Sequence, residues 1–288
     1  MSQEFQQLLG PMILLPLMFV VGLQLVPDDF RRVFAAPRAV VGGTLGQLLL
    51  LPLMTWAVVV ALDVPPVFAA GALLLAATPG AGMSNVMAAV AGADVALSVT
   101  LTAVSSLLAV VTLPALAAVG IRFFIGDALD VEVPVGAMVQ QLVTYLAIPI
   151  GLGMWVRARR PEASKRYVSV ANRVAVVGVL VLTALSALSG ENSLPSGSEF
   201  VVAALAALLW TVFAMALGFG VASILALDGD QRFTFVIEFS ARNLALTIIV
   251  AVAALGRLEL GLFAGVYGAT GFVLVLLLAV LRGRLKAA

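Results

Sequence analysis

The chain has 288 residues, of which 62% are hydrophobic and only 11% charged, and its net charge is +1. A soluble domain carries about a quarter charged residues to face water, so lipid must be the solvent for most of this exterior. Histidine and cysteine are both absent. That excludes disulfides, thiolate and imidazole metal sites and Cys or His catalysis, and the near-neutral balance offers nothing to a nucleic acid.

Met1 to Gln7 contain Glu4 and no Lys or Arg. A cleavable signal needs a basic start, so the first apolar run reads as a retained membrane span. A bilayer core about 30 Å thick takes about 20 apolar residues per helix. That length predicts nine spans, at approximately 6–26, 38–62, 66–92, 95–121, 136–157, 168–189, 199–226, 232–256 and 258–282. Between the first two, Val26-Pro27-Asp28-Asp29-Phe30-Arg31-Arg32 reads as an interfacial turn. The connections are short, and no linker or appended soluble region stands out, so residues 1–288 read as one all-α integral membrane domain.

The basic residues fall mainly in alternate loops. Arg31, Arg32, Arg38, Arg157, Arg159, Arg160, Lys165, Arg166, Arg173, Arg232, Arg282, Arg284 and Lys286 lie on one side, against Arg122 and Arg257 on the other. The excess of Lys and Arg marks the cytoplasmic face. The C-terminus is therefore expected in the cytoplasm and, with nine spans, the N-terminus outside the cell or inner (plasma) membrane.

The third span is interrupted by Thr78-Pro79-Gly80-Ala81-Gly82-Met83-Ser84-Asn85. Proline removes a backbone donor and glycine loosens the chain. A harmless kink explains Pro79-Gly80 alone equally well, but polar Ser84 and Asn85 follow at membrane depth. In the fourth span Ser98, Thr102 and Ser105 share a helical face, which by itself fits interhelical packing of small residues. The eighth span holds Glu238-Phe239-Ser240-Ala241-Arg242-Asn243-Leu244. Glu238 and Arg242 are the ionisable pair within the apolar spans, and at i, i+4 with Glu first their order favours a helical ion pair. Buried charges at this depth mark an ion or substrate path, or else simply fix helix packing.

The two interrupted spans are five apart and so cross in opposite directions. That is the pattern of an inverted repeat with a binding site at the midplane, here approximately 6–121 and 136–282. Ser84, Asn85, Ser98 and Thr102 would then wall Glu238 with neutral oxygens. A hard monovalent cation such as sodium suits such ligands, and lithium or a proton on Glu238 fits the same chemistry.

These residues resemble the bile acid:sodium symporter family, also called the sodium/bile acid cotransporter family. Pro79-Gly80-x-x-x-Ser84-Asn85 is similar to its first broken helix. Ala91-Gly92-Ala93-Asp94 with Ala96-Leu97-Ser98-Val99-x-x-Thr102 is similar to the entry of its next helix, and Glu238-Phe239-Ser240-Ala241-Arg242-Asn243 to its second broken helix. Gln47, ahead of Pro52, falls where the family pattern has a polar residue. The resemblance covers about residues 10 to 280. It implies two crossing discontinuous helices in a core domain that rocks against a panel domain, with one helix fewer than the common ten.

By the same resemblance, Ser84, Asn85, Ser98, Thr102 and Glu238 match a first sodium site. Gln47, Glu238 and the carbonyls of Phe239 and Ala241 match a second. Asn243 and the helix ends near Gly80 and Gly82 would face an organic anion. Two positions depart from the pattern. Ala81 stands where a second glycine is common, and Arg242 where a glutamine often ligates the second sodium. A guanidinium has no lone pair to offer a cation. Arg242 is thus expected either to occupy the second site as a built-in cation, leaving at most one transported sodium, or to grip the substrate's carboxylate.

The leading expectation is a sodium-coupled symporter of a bile acid-like or smaller carboxylate, working by alternating access. The alternative is a proton-coupled or cation-independent anion carrier in which Arg242 replaces a sodium ion. An arsenite-type carrier would be expected to use a cysteine, and an intramembrane hydrolase a Ser–His, paired-Asp or metal arrangement. The chain has none of these, so it is not expected to be an enzyme, and the lipid bilayer and a small organic anion are its expected partners.

Overall fold

The computed structural model of the chain describes residues 34–80, 82–126, 135–162 and 196–287, together with 15, 16, 18–20, 22, 23, 25 and 164. Most of the first expected span, all of the sixth, the turn at 26–32 and Ala81 lie outside the described residues, as do Asp127, Asp130, Glu132 and Glu191. Every described element is a helix. In chain order they are α1 (Pro37–Leu45), α2 (Leu51–Ala61), α3 (Pro66–Ala77), α4 (Gly82–Val90), α5 (Val95–Phe124), α6 (Val135–Leu142), α7 (Ile148–Arg159), α8 (Gly197–Ile224), α9 (Gly229–Ser240), α10 (Leu244–Ile249), α11 (Leu262–Ala269) and α12 (Gly271–Ala287).

Several of these are segments of one longer rod. A π-helical turn at Gly46–Leu50 joins α1 to α2, and another at Val143–Ala147 joins α6 to α7. Pro52 and Pro149 follow these turns by two residues. A proline has no N–H for the preceding turn and its ring crowds that turn, so a locally widened helix is the expected accommodation. Five continuous helical stretches are long and apolar enough to cross a membrane: Pro37–Ala61, Val95–Phe124, Val139–Arg159, Gly197–Ile224 and Leu258–Ala287. The chain is thus an all-α membrane protein.

Two further helices stop partway. α3 has 12 residues, about 18 Å at 1.5 Å per residue, well short of a bilayer. It is buried from Phe68 through Ala77, the all-round apolar burial of a central helix. It ends because Pro79 forces the residue before it out of helical geometry, and Thr78 is extended at φ −72°, ψ 149°. α9 also has 12 residues and is started by a capping box between Asp228 and Gln231. It ends at Ser240, where Ala241 turns to φ −93°, ψ 81°. Asn243 then caps α10, its Oδ1 accepting from the Leu246 N–H at 3.0 Å.

At the cytoplasmic end expected from the charge pattern, α12 is tied to both interrupted units. Arg282 and Lys286 donate to Asp230 at 2.8 and 2.5 Å, and Lys286 also donates to the Gly92 carbonyl at 2.7 Å. Gly92 sits at φ +61°, the left-handed geometry that ends α4 and suits glycine. Asp230 is thereby clamped between two cations. The Lys286 hydrogen bond, helped by Arg282, holds its carboxyl below the usual aspartate range.

Candidate ion-binding site

The two interruptions meet. Gly80 and Arg242 form an isolated antiparallel bridge, and the Asn243 N–H donates to the Pro79 carbonyl at 3.1 Å. Unwound backbone in a membrane must find partners inside the protein, and here each break supplies partners to the other. Tyr267, from α11, completes the joint. Its hydroxyl donates to the Ser240 carbonyl at 2.5 Å and accepts from the Arg242 N–H at 3.2 Å. The ring stands edge-on to Trp210, whose indole N–H donates to Thr55 at 2.7 Å.

Glu238 lies on the last turn of α9 and is fully buried. Its carboxylate accepts from Ser84 at 2.7 Å, from Ser98 at 2.5 Å and from Thr102 at 3.3 and 3.1 Å. Ser84 belongs to α4, and Ser98 and Thr102 to one face of α5, so three helices converge on one acidic group. Asn85 joins at one remove, its Oδ1 accepting from Ser98 at 2.8 Å. Ser105, on the same face, is buried but donates to the Thr102 carbonyl instead. The hydroxyls are neutral, so they satisfy the carboxylate's lone pairs without cancelling its charge.

Gly80 packs closely against this group. A Cβ on Gly80 would lie 2.6 Å from Glu238 Oε2, 3.0 Å from the Thr102 hydroxyl and 3.3 Å from the Ser84 hydroxyl. The oxygens of Glu238, Thr102 and Ser84 therefore leave no room for a side chain at residue 80, and glycine lets the first break approach the carboxylate this closely. Oxygen donors around one carboxylate suit a hard monovalent cation. Among the described residues no group of three His, Cys, Asp or Glu comes together to hold another kind of metal.

The helical ion pair expected between Glu238 and Arg242 does not form. α9 ends between them, so the i, i+4 geometry is lost, and no ion pair joins the two side chains among the described residues. Arg242 turns instead to neutral oxygens. Its guanidinium donates to Gln47 Oε1 at 2.9 Å, to the Glu238 carbonyl at 3.0 Å, to the Ala76 carbonyl at 3.3 Å and to the Thr78 carbonyl. Those carbonyls are at or just beyond the C-terminal ends of α9 and α3, where the helix dipole is negative and orphan acceptors remain. One guanidinium therefore caps two half-helices. It is 1% exposed, and among the described residues its Nε and the Gln47 Nε2 have no hydrogen-bond partner.

The remaining residues expected at the site surround this joint. Phe239 and Ala241 are fully buried on either side of Ser240, and Asn243 is 6% exposed. Gly82 begins α4 beyond the first break. The role of Tyr267 and the capping role of Arg242 were not legible in the sequence. A lone tyrosine in an otherwise apolar final span was the one available signal, since a buried hydroxyl needs a partner.

Comparison with known proteins decides the family. A description of the sodium bile acid symporter family matches residues 11–196, more than half of the chain. The chain belongs to that family. The matched segment includes the first interrupted helix and the hydroxyls of α5, and stops short of Glu238. Similar proteins extend further along the chain. An uncharacterised sodium-dependent transporter of Bacillus subtilis is 29% identical over 238 residues, 82% of this chain and 71% of its own. A probable chloroplastic sodium/metabolite cotransporter of Arabidopsis thaliana is 30% identical over 244 residues, 83% of this chain and 58% of its own. Sodium/bile acid cotransporter 4 of Rattus norvegicus is 30% identical over 232 residues, 78% of this chain and 52% of its own. The chain thus spans little more than half the length of the plant and rat relatives. The sodium bile acid symporter family is one of transporters, and its member here is not an enzyme.

Proposed function

We propose that this protein is a sodium-coupled symporter of an organic anion, bile acid-like or a smaller carboxylate, that works by alternating access. The observation that carries this reading is the buried Glu238 carboxylate, which among the described residues accepts from the Ser84, Ser98 and Thr102 hydroxyls close against Gly80. The printed names of the bacterial, plant and rat relatives, all sodium-dependent transporters or cotransporters, support the choice of ion. Ser84, Ser98, Thr102 and Glu238, with Asn85 behind them, would ligate one sodium. The anion would bind near Gly80, Gly82 and Asn243.

Arg242 is assigned the role of a fixed cation in place of a second sodium. Its guanidinium already bonds Gln47 and the Glu238 carbonyl, two oxygens that a second ion would share with the carbonyls of Phe239 and Ala241. A grip on the substrate is the weaker assignment, because the side chain is enclosed by protein. The rest of the proposal is architectural. It has an inverted repeat of approximately 6–121 and 136–282, nine spans in one domain, a core rocking against a panel, and a C-terminus in the cytoplasm of the plasma membrane.

The experiment is a thermal-shift screen of the purified protein against organic anions in sodium and, separately, in potassium. Ligands that bind the folded form raise the melting temperature by mass action. Anions that stabilise only in sodium support symport. Equal shifts in both salts would favour the cation-independent carrier.

A further inference from the structure

The buried polar centre has a formal charge that can be counted. Among the described residues, Glu238 and Arg242 are the only charged side chains that are buried. Glu238 is surrounded by neutral hydroxyls and Arg242 by neutral carbonyl and amide oxygens. A guanidinium stays protonated in proteins. With no ligand bound, the centre therefore sums to zero. One sodium at Glu238 raises it to +1, and one monovalent anion restores zero. An anion without sodium leaves −1.

A net charge held in a low-dielectric interior is costly, whereas a compensated one is far less so. The empty and fully loaded centres are both neutral, and both half-loaded centres are charged. Only the neutral forms cross readily between the two faces of the membrane. Without the guanidinium the count changes. Glu238 with sodium would be neutral and free to cross alone.

We propose that Arg242 enforces coupling by charge, so that one sodium and one monoanion cross together without net charge and sodium alone is held back. This rests on the sodium-symport reading above, and it narrows the substrate to monoanions and makes transport electroneutral.

The test needs sodium alone. Purified wild type and variants are reconstituted into vesicles with equal sodium sulfate on both sides and no organic anion, and exchange of tracer ²²Na⁺ is followed. Wild type is expected to exchange no faster than protein-free vesicles. Arg242→Met removes the charge without supplying a sodium ligand and is expected to raise exchange by about a hundredfold, the scale of one uncompensated buried charge. Arg242→Lys keeps the charge and should stay silent. Melting with sodium against potassium runs in parallel to show that each variant folds and binds the ion, and Arg242→Leu provides a second neutral variant.

If sodium stabilises wild type and wild type exchanges tracer without an organic anion, the charge proposal is overturned while the sodium site stands. A folded, sodium-stabilised Arg242→Met or Arg242→Leu that stays silent also overturns it. Absence of any sodium-specific stabilisation in wild type defeats the symport reading itself. Should both neutral variants fail to fold, the wild-type exchange measurement decides.

Discussion

The N–H of Asn243 donates to the carbonyl of Pro79 at 3.1 Å, across 164 residues of chain. This bond and the Gly80–Arg242 bridge beside it hold the two helix breaks in one place. Glu238 and Ser84 lie a few residues to either side of that joint, so any displacement of one break reaches the other through main chain.

Gly80→Ala should weaken sodium binding without unfolding the protein. The added methyl would sit 2.6 Å from Glu238 Oε2 and 3.0 Å from the Thr102 hydroxyl, and overpacking of this kind costs about 1–3 kcal/mol. Sodium affinity, read from the sodium dependence of the melting temperature, is expected to fall by about tenfold to a hundredfold. Undiminished affinity would show that the ion does not sit among these oxygens.

Glu238→Gln keeps the size of the side chain and deletes its charge. Sodium stabilisation, worth about 2.7 kcal/mol at a hundred times the dissociation constant, is expected to vanish. Isothermal titration of sodium into the purified variant checks this, and a retained binding isotherm would place the ion elsewhere.

Tyr267→Phe should loosen the second break. It leaves the buried Ser240 carbonyl and Arg242 N–H without the hydroxyl that now bridges them, at a cost of about 1–3 kcal/mol for each group stranded. A lower melting temperature is expected, with faster amide exchange at Ala241 and Arg242. Unchanged exchange there would mean that the break is held without the tyrosine.

Acid should release the C-terminal helix from the clamp. The Asp230 pKa is lowered chiefly by the Lys286 hydrogen bond, then by Arg282, so its stabilisation is fully present above the ordinary aspartate value near ~4. It is lost as pH falls from that value through the lowered one. Amide exchange over 282–287 should rise across this window in wild type, and in Asp230→Asn it should be raised at every pH. Identical profiles for the two proteins would remove the clamp from the account.

Much of this arrangement was legible in the sequence, because lipid makes polarity conspicuous. Pro79, Glu238 and the triplet of Ser98, Thr102 and Ser105 stood out at membrane depth, and the structure breaks helices at Pro79 and after Ser240 while gathering Ser98 and Thr102 on Glu238. Spacing misled where it assumed continuity. Glu238 and Arg242 pair at i, i+4 only if the helix runs through both, and it ends between them. Nothing local shows which carbonyls, 164 to 166 residues away, a guanidinium will reach. Tyr267 was hidden for the same reason, since its partners belong to a different helix.

The joint between the two breaks is made of peptide groups. Its main-chain bonds do not depend on the hydroxyls that surround Glu238, as long as Pro79, Gly80 and the Tyr267 and Arg242 side chains that brace it keep their places. Ligands can be exchanged around such a frame one residue at a time, so the inventory of ions a carrier moves can be rewritten without redesigning the machine that moves them.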